Sequence, residues 1–270
     1  MLVYDLIKDS VVIENPQDFS REDNVLVYAQ YSESAVPTYS ESQQIEAFLE
    51  AGWKVVVTTT NTYFSDKVTT LRKPNIGYDI GSWATALLTI PELRDANSII
   101  LMNSSFYGPL QDIAPMLKTF GNKDYWGMTK SQEFGLHMQS GIRGFSHKIL
   151  QDNLIFDFIT QIEIDQNQSL DEYRNSIIFK YEVGFPISYV LARGYKVGAM
   201  FHVEDFEGLL GHDLTLSGWR MIVEKGAPFV KKSLALGFRS VPHNSPTITL
   251  HDIINLQNAF GKEIGKHFVE

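Results

Sequence analysis

The sequence predicts an α/β fold built on a mostly parallel sheet flanked by helices. Three observations carry that prediction. β-Branched or apolar runs of strand length recur at 24–32, 54–61 and 98–103. Segments with helical spacing separate them, and glycine or proline closes each segment. Strand, helix and strand within about 40 residues is the βαβ unit, whose crossover is normally right-handed.

Residues 1–22 are polar and mixed, and read as a leader or edge segment. NVLVYAQYS (24–32) reads as a buried parallel strand. Ser40 to Ala51 follows as a helix with Ile45, Phe48 and Leu49 on one face, and Gly52 is its stop. KVVVTTTN (54–61) is the second strand. Lys67 to Asn75 is a further strand reaching a turn at Pro74, and Asp79 to Ile90 is a helix that turns Trp83, Leu87 and Leu88 to one side. SIILMN (98–103) is the clearest strand; Gly108-Pro109 breaks the chain after it, and Leu110 to Phe120 is helical.

From Asp124 the texture changes to aromatic- and glycine-rich stretches, read as twisted strands crossing a site. Leu150 to Ile164 and Leu170 to Phe179 are expected to be helical, 194–206 a late strand, and Leu250 to Phe268 an amphipathic helix. With no repeat or linker, residues 1–270 are expected to form one domain. Its nucleotide-binding half is 24–125, its acceptor half 126–240 and its helical tail 241–270.

Composition bounds the function. Twenty-three Lys+Arg against 32 Asp+Glu leave a net charge of −9, which argues against nucleic-acid binding, since displacing counterions from phosphates needs a basic face. There is no cysteine, which excludes disulfides and cysteine-ligated zinc and agrees with a reducing cytoplasm. No run is long and apolar enough to span a bilayer, and no basic n-region precedes the short apolar start. Walker A, G-x-G-x-x-G and G-x-S-x-G patterns are all missing.

Ligands on parallel sheets sit at the carboxyl ends of strands, which places the chemistry. Tyr28, Gln30, Thr60 and Asn61 lie at two such ends, and Asn103 and Ser105 at the end of the strongest strand. Asn75, Gly77, Asp79 and Trp83 occupy a glycine-bearing turn that opens a helix, where Asp79 either meets a ligand or caps the helix. Glu182, between an aromatic residue and a Gly-x-Pro turn, can serve as a base for deprotonating a hydroxyl, or as a salt-bridge partner. His202 and Glu204 alternate on one strand as a weak metal-ligand pair, with Asp205, Glu207 and His212 close behind.

Read in order, NIGYDIGSW (75–83), IILMNSSFYGPL (99–110), DYWGMTKS (124–131), HMQSGIRGFSHKIL (137–150), YEVGFPISYVLARGYKVGAM (181–200) and PFVKKSLAL (228–236) resemble the rhamnan-synthesis protein F family of bacterial glycosyltransferases. The resemblance implies a GT-A-like fold that transfers a rhamnose- or galactose-type sugar. The donor would be a UDP- or dTDP-sugar and the acceptor a glycan or lipid-linked glycan of the cell surface, reached from the cytoplasm with peripheral membrane contact at most. It sets Asn75, Gly77, Asp79, Trp83, Asn103 and Ser105 near the donor and makes Glu182 the preferred base. Arg143, Lys231 and Lys232 become candidates for neutralising the diphosphate. Many relatives read Asn-Asp-Ser where this chain has Asn103-Ser104-Ser105. That departure leaves three expectations open: metal-free transfer, a metal on His202 or Glu204, or a silent carbohydrate-binding or scaffold subunit.

Overall fold

The apolar runs do become strands, and their burial shows why they are apolar on both faces. The computed structural model describes residues 1–31, 36–61, 65–132, 135–139, 141–164, 172, 175–177, 179–185, 187–206, 213–236, 248–260 and 264–268. Its strands are β1 (Val12–Glu14), β2 (Asn24–Ala29), β3 (Lys54–Thr59), β4 (Thr69–Arg72), β5 (Ser98–Asn103), β6 (Phe106–Tyr107), β7 (Tyr125–Ser131), β8 (His137–Met138), β9 (Ile142–Ser146), β10 (Val197–His202) and β11 (Val230–Lys231). One sheet runs β1-β4-β3-β2-β5-β9-β7-β10, with β8 paired to β7. Strands β4, β3, β2 and β5 are mutually parallel, β10 is parallel to β7, and β1 and β9 run antiparallel to their neighbours.

Alternate residues of each strand feed two cores. Val25, Val27, Val56, Ile99 and Leu101 face one layer, while Leu26, Tyr28, Val57, Ile100 and Met102 face the other. The first layer is covered by α1 (Val3–Ile7), α3 (Tyr78–Thr89) and α6 (Asn153–Thr160); the second takes α2 (Tyr39–Glu50) and α4 (Ala114–Phe120). Helix α5 (His147–Leu150) follows β9.

Helix α2 starts with a capping box: Thr38 accepts from the Glu41 N–H, and the Glu41 carboxylate accepts from the Thr38 N–H.

Several expected boundaries move. The first 22 residues are an edge: β1 pairs with β4, and Val3 and Ile7 of α1 enter the core. The strand expected over 67–75 is confined to Thr69–Arg72, and the helix expected from Leu110 begins at Ala114. Asp152 caps a new helix by accepting from the Leu154 and Ile155 N–H groups, so the helix expected over 150–164 is split. Much of the helix expected over 170–179 lies outside the described residues; Phe179–Val183 forms a π-helical turn. The tail is a helix at Leu250–Phe260, then a 3₁₀ turn at Ile264–Phe268 that rests against α2.

Candidate active site

In a parallel sheet a crevice opens where the strand order reverses. Here the chain passes from β2 outward to β3 and β4, then returns to the other side of β2 as β5. The reversal therefore lies between the carboxyl ends of β2 and β5. The Ser104 N–H donates to the Ala29 carbonyl at 3.0 Å, and the Ser104 hydroxyl accepts from the Tyr31 N–H at 3.2 Å. Ser104 thus ties the two strand ends together.

The residues on either side of it form a polar chain. Asn103 donates its side-chain amide to the Asp79 carboxylate, and its carbonyl oxygen accepts from the Ser105 hydroxyl and, at 3.2 Å, from the Ser105 N–H. The Asn103 N–H donates to the Gly141 carbonyl at 3.0 Å, so the start of β9 fixes it from the far side. The carboxylate that the Asn-Ser-Ser strand end lacks is thus brought to it by α3.

Asp79 reaches that position through an unusual turn. Gly77 (φ 83°) and Tyr78 (φ 53°) are both left-handed, so α3 begins at Tyr78 and Asp79 stands inside its first turn. The capping expectation for Asp79 is corrected accordingly: Gly77 is the cap position, and Asp79 accepts from the neighbouring Ile80 N–H at 3.0 Å. Ser82 donates to the Tyr78 carbonyl. A carboxylate here already faces the positive end of the helix dipole, which disfavours a phosphate at the same place.

Lys73, at the end of β4, has no sequence signal that marks it. It is 4% exposed, and its ammonium donates to the carbonyls of Pro74 (2.9 Å) and Ile76 (3.1 Å), bracing the turn. Burial lowers its pKa to about 8.

On the β2 side, the Gln30 amide donates to the buried Glu41 carboxylate at 3.1 Å, and Lys232 stands 3.8 Å from the same carboxylate. The Lys232 N–H donates to the Ser105 carbonyl, so β11 is seated directly on the site, and Lys231 lies over the Phe106 ring at 5.2 Å. Glu41 has a sequence signal, the Thr-x-x-Glu capping pattern. Thr60 and Asn61 are half-buried at the end of β3, and Asn75 is exposed.

Two residues expected near the donor are core side chains. Tyr28 is wholly buried with its hydroxyl on Gln44, and Trp83 is wholly buried with its indole N–H on the Met102 carbonyl at 3.1 Å. Both shape the site from the core.

Across β9 stands the second cluster. Arg143 is 4% exposed, 5.5 Å over the Trp83 ring, and donates to the Tyr181 carbonyl at 3.3 Å. Glu182 is half-buried on the adjoining π-helical turn. Burial raises the pKa of the enclosed Tyr125 hydroxyl, with Arg143 acting to lower it and Glu182 to raise it, so the three groups share one neighbourhood. Strand β8, which carries His137, packs against the same turn.

His202 ends β10 and Glu204 lies in the 3₁₀ turn Val203–Asp205 that follows, so the two do not alternate on one strand as expected. Burial acts to raise the Glu204 carboxyl, but its own N–H, Lys130 at 3.2 Å and Gln132 together hold it below the usual range. Among the described residues no group of three His, Cys, Asp or Glu side chains is placed to hold a metal ion. Glu207 and His212 lie outside the described residues. Of the oxygens in the Asp79–Asn103–Ser105 chain, the Asp79 carboxylate is the one anionic donor; the Asn103 amide turns its NH₂ to Asp79 and its oxygen to Ser105, so the three oxygens do not converge as a ready ligand set.

A family model described as rhamnan synthesis protein F matches residues 29–263. Two curated sequences of virulence protein VirA from Vibrio anguillarum, one from strain ATCC 68554 / 775, are each 26% identical, with 61% of this chain aligned. The chain spans 61% of the length of these relatives. A solved glycosyltransferase involved in the glycosylation of the major capsid of PBCV-1 superposes with a TM-score of 0.42 at 10% identity, over 77% of this chain and 92% of that one.

Proposed function

The chain belongs to the rhamnan synthesis protein F family, and from that premise we propose that it is a glycosyltransferase of polysaccharide biosynthesis. It moves a hexose or deoxyhexose of the rhamnose or galactose type from a UDP- or dTDP-sugar to a cell-surface glycan or lipid-linked glycan, with inversion. The observation that carries this reading is the Asp79–Asn103–Ser105 chain at the crevice where the strand order reverses. Hydroxyl-rich ligands are selected by such converging carboxylate, amide and hydroxyl groups, because a wrong hydroxyl pattern leaves buried polar atoms unpaired.

In this reading Gln30, Thr60 and Asn61 flank the nucleotide, and Asn75 and Gly77 lie on the turn beside it. Asp79, Asn103 and Ser105 orient ribose or donor sugar. Lys231 and Lys232 stand where β11 meets the site and draw off the negative charge that grows on the departing diphosphate. The acceptor oxygen bonds to the anomeric carbon as the bond from that carbon to the phosphate oxygen breaks. The electron pair leaves with the nucleoside diphosphate, and the acceptor proton passes to Glu182. A divalent ion held by Asp79 and the diphosphate would supply further charge neutralisation. Among the described residues no helix is long and apolar enough to cross a membrane, and we place the enzyme at the inner face of the cell membrane, in the cytoplasm.

The test is thermal stabilisation by UDP, dTDP, GDP and CMP, each with Mn²⁺ and with EDTA, followed by turnover of the matching nucleotide sugar. A nucleotide at 100 times its Kd should stabilise by about 2.7 kcal/mol. Selective stabilisation by UDP or dTDP, with turnover abolished in Glu182→Gln, supports the reading. Glycan binding without any nucleotide response would instead identify a silent carbohydrate-binding subunit.

A further inference from the structure

We propose that Arg143 is a positioning residue that joins the donor helix α3 to the turn bearing Glu182, and not a diphosphate ligand. The proposal rests on the reading of Glu182 as the base.

Arg143 sits in the middle of β9, paired with Leu101 of β5 on one side and Gly127 of β7 on the other. Two residues before it, the Gly141 carbonyl holds Asn103. Its guanidinium faces Trp83, one helical turn beyond Asp79, and reaches the Tyr181 carbonyl, next to Glu182. One side chain thus touches the supports of both halves of the site. The cavity around it is lined by Ile80, Trp83, Phe158, Tyr181 and Phe185.

The turn needs such a support. The Gly184 N–H donates to the Phe179 carbonyl at 2.9 Å, five residues back, so the helix is locally widened. Gly184 is required there, since a Cβ would lie 2.2 Å from the Lys180 carbonyl oxygen. Continuing the same pattern from Tyr181 would call on Pro186, which carries no N–H. Arg143 supplies the missing donor.

The position is also costly as mere packing. The Arg143 Nε and the Tyr125 hydroxyl are both buried without a hydrogen bond of good geometry among the described residues, although the guanidinium and the phenol lie close enough to interact. A buried cation with so few bonds is worse for stability than an apolar side chain of similar volume. Its presence under the turn is explained by what it holds in place.

The experiment compares Arg143→Met, Arg143→Lys and Glu182→Gln, using the nucleotide sugar selected by thermal shift. Amide hydrogen exchange over 179–185, nucleotide-induced stabilisation and the pH dependence of kcat are measured for each. Arg143→Met should speed exchange in the turn and lower kcat about 100-fold, the scale of a 1 Å misplacement, while nucleotide stabilisation stays within about twofold in Kd. It should also displace the acid limb of the pH profile, and Arg143→Lys should restore part of both effects. Unchanged exchange and pH profile would overturn the proposal. So would a collapse of nucleotide binding with an unchanged pH profile, which would return Arg143 to the diphosphate. If Arg143→Met does not fold, Arg143→Lys carries the same readouts. Faster exchange in the turn alongside full turnover in Glu182→Gln would sink the base assignment and leave the support of the turn standing.

Discussion

Asn103 uses both ends of its amide, donating to Asp79 and accepting from Ser105, so its two neighbours are aligned by one planar group. Replacing it by Asp puts a second carboxylate against Asp79. Like charges at that range cost on the order of 2 kcal/mol, about 5 °C in a chain of this size. Asn103→Asp should therefore melt lower in EDTA and recover with Mn²⁺, in a melting scan at pH 7.5; a loss that Mn²⁺ does not reverse would show that the pair cannot share an ion. Lys73 gives a second residue-scale test. Its pKa is about 8 in the folded protein against the ordinary lysine value of 10.5 in the unfolded chain, so between these values the unfolded chain binds more protons and stability rises with pH. The difference corresponds to about 3 kcal/mol, gained from pH 8 to 10.5 and missing below pH 8. Lys73→Met should remove that rise, seen as a flatter curve than wild type in denaturant melts across the window. Neither residue's partner was legible in the sequence. Asp79 and Asn103 are 24 positions apart, and only the packing of α3 against the end of β5 makes them neighbours.

At the scale of elements, strands read more clearly than helix ends. Runs such as 54–59 announce themselves because both faces are buried, whereas a helix start depends on a single backbone angle. The start of α3 is the case in point: Asp79 looks like a cap, but Gly77 at φ 83° takes that place. A Cβ on Gly77 would lie 2.9 Å from both the Gly81 Cα and Val3. Gly77→Ala adds a left-handed strain of about 1–2 kcal/mol to that overlap and should lower the melting temperature by about 5 °C, with nucleotide affinity falling as Asp79 shifts. The tail offers an element-scale test of pH. Arg220 and Thr249 hold the Asp252 carboxyl well below its ordinary range, with Arg220 bonded to it at 2.7 and 2.8 Å. A depressed carboxyl contributes stability above its unfolded pKa near 3.8 and loses it as pH falls through the folded value. The helix Leu250–Phe260 should therefore loosen first in acid, and Asp252→Asn should loosen it at neutral pH, both read as faster amide exchange over 250–260.

For the whole molecule, the alternation of strands and helices was legible as far as β5, and the carboxyl-edge rule then directed attention to the strand ends that carry the Asp79–Asn103–Ser105 chain. What the sequence could not supply was the continuation. The stretches after Asp124 and 194–206 read as strands, and β7, β8, β9 and β10 are found there, but nothing in HMQSGIRGF shows that β9 joins them to the same sheet as an antiparallel strand. The consequence is that the groups proposed for donor and acceptor belong to one sheet, with β9 and its Arg143 between them. This arrangement makes a spatial prediction. A donor nucleotide seated at the reversal between β2 and β5 should slow amide exchange at 30–31 and 103–105, where Ser104 already joins the strand ends. It should leave the end of β10, at His202 and Glu204, unchanged, because β9 and β7 lie between β5 and β10. Protection at β10 with none at β5 would move the nucleotide to the far end of the sheet and strip Asp79 and Asn103 of their assigned role.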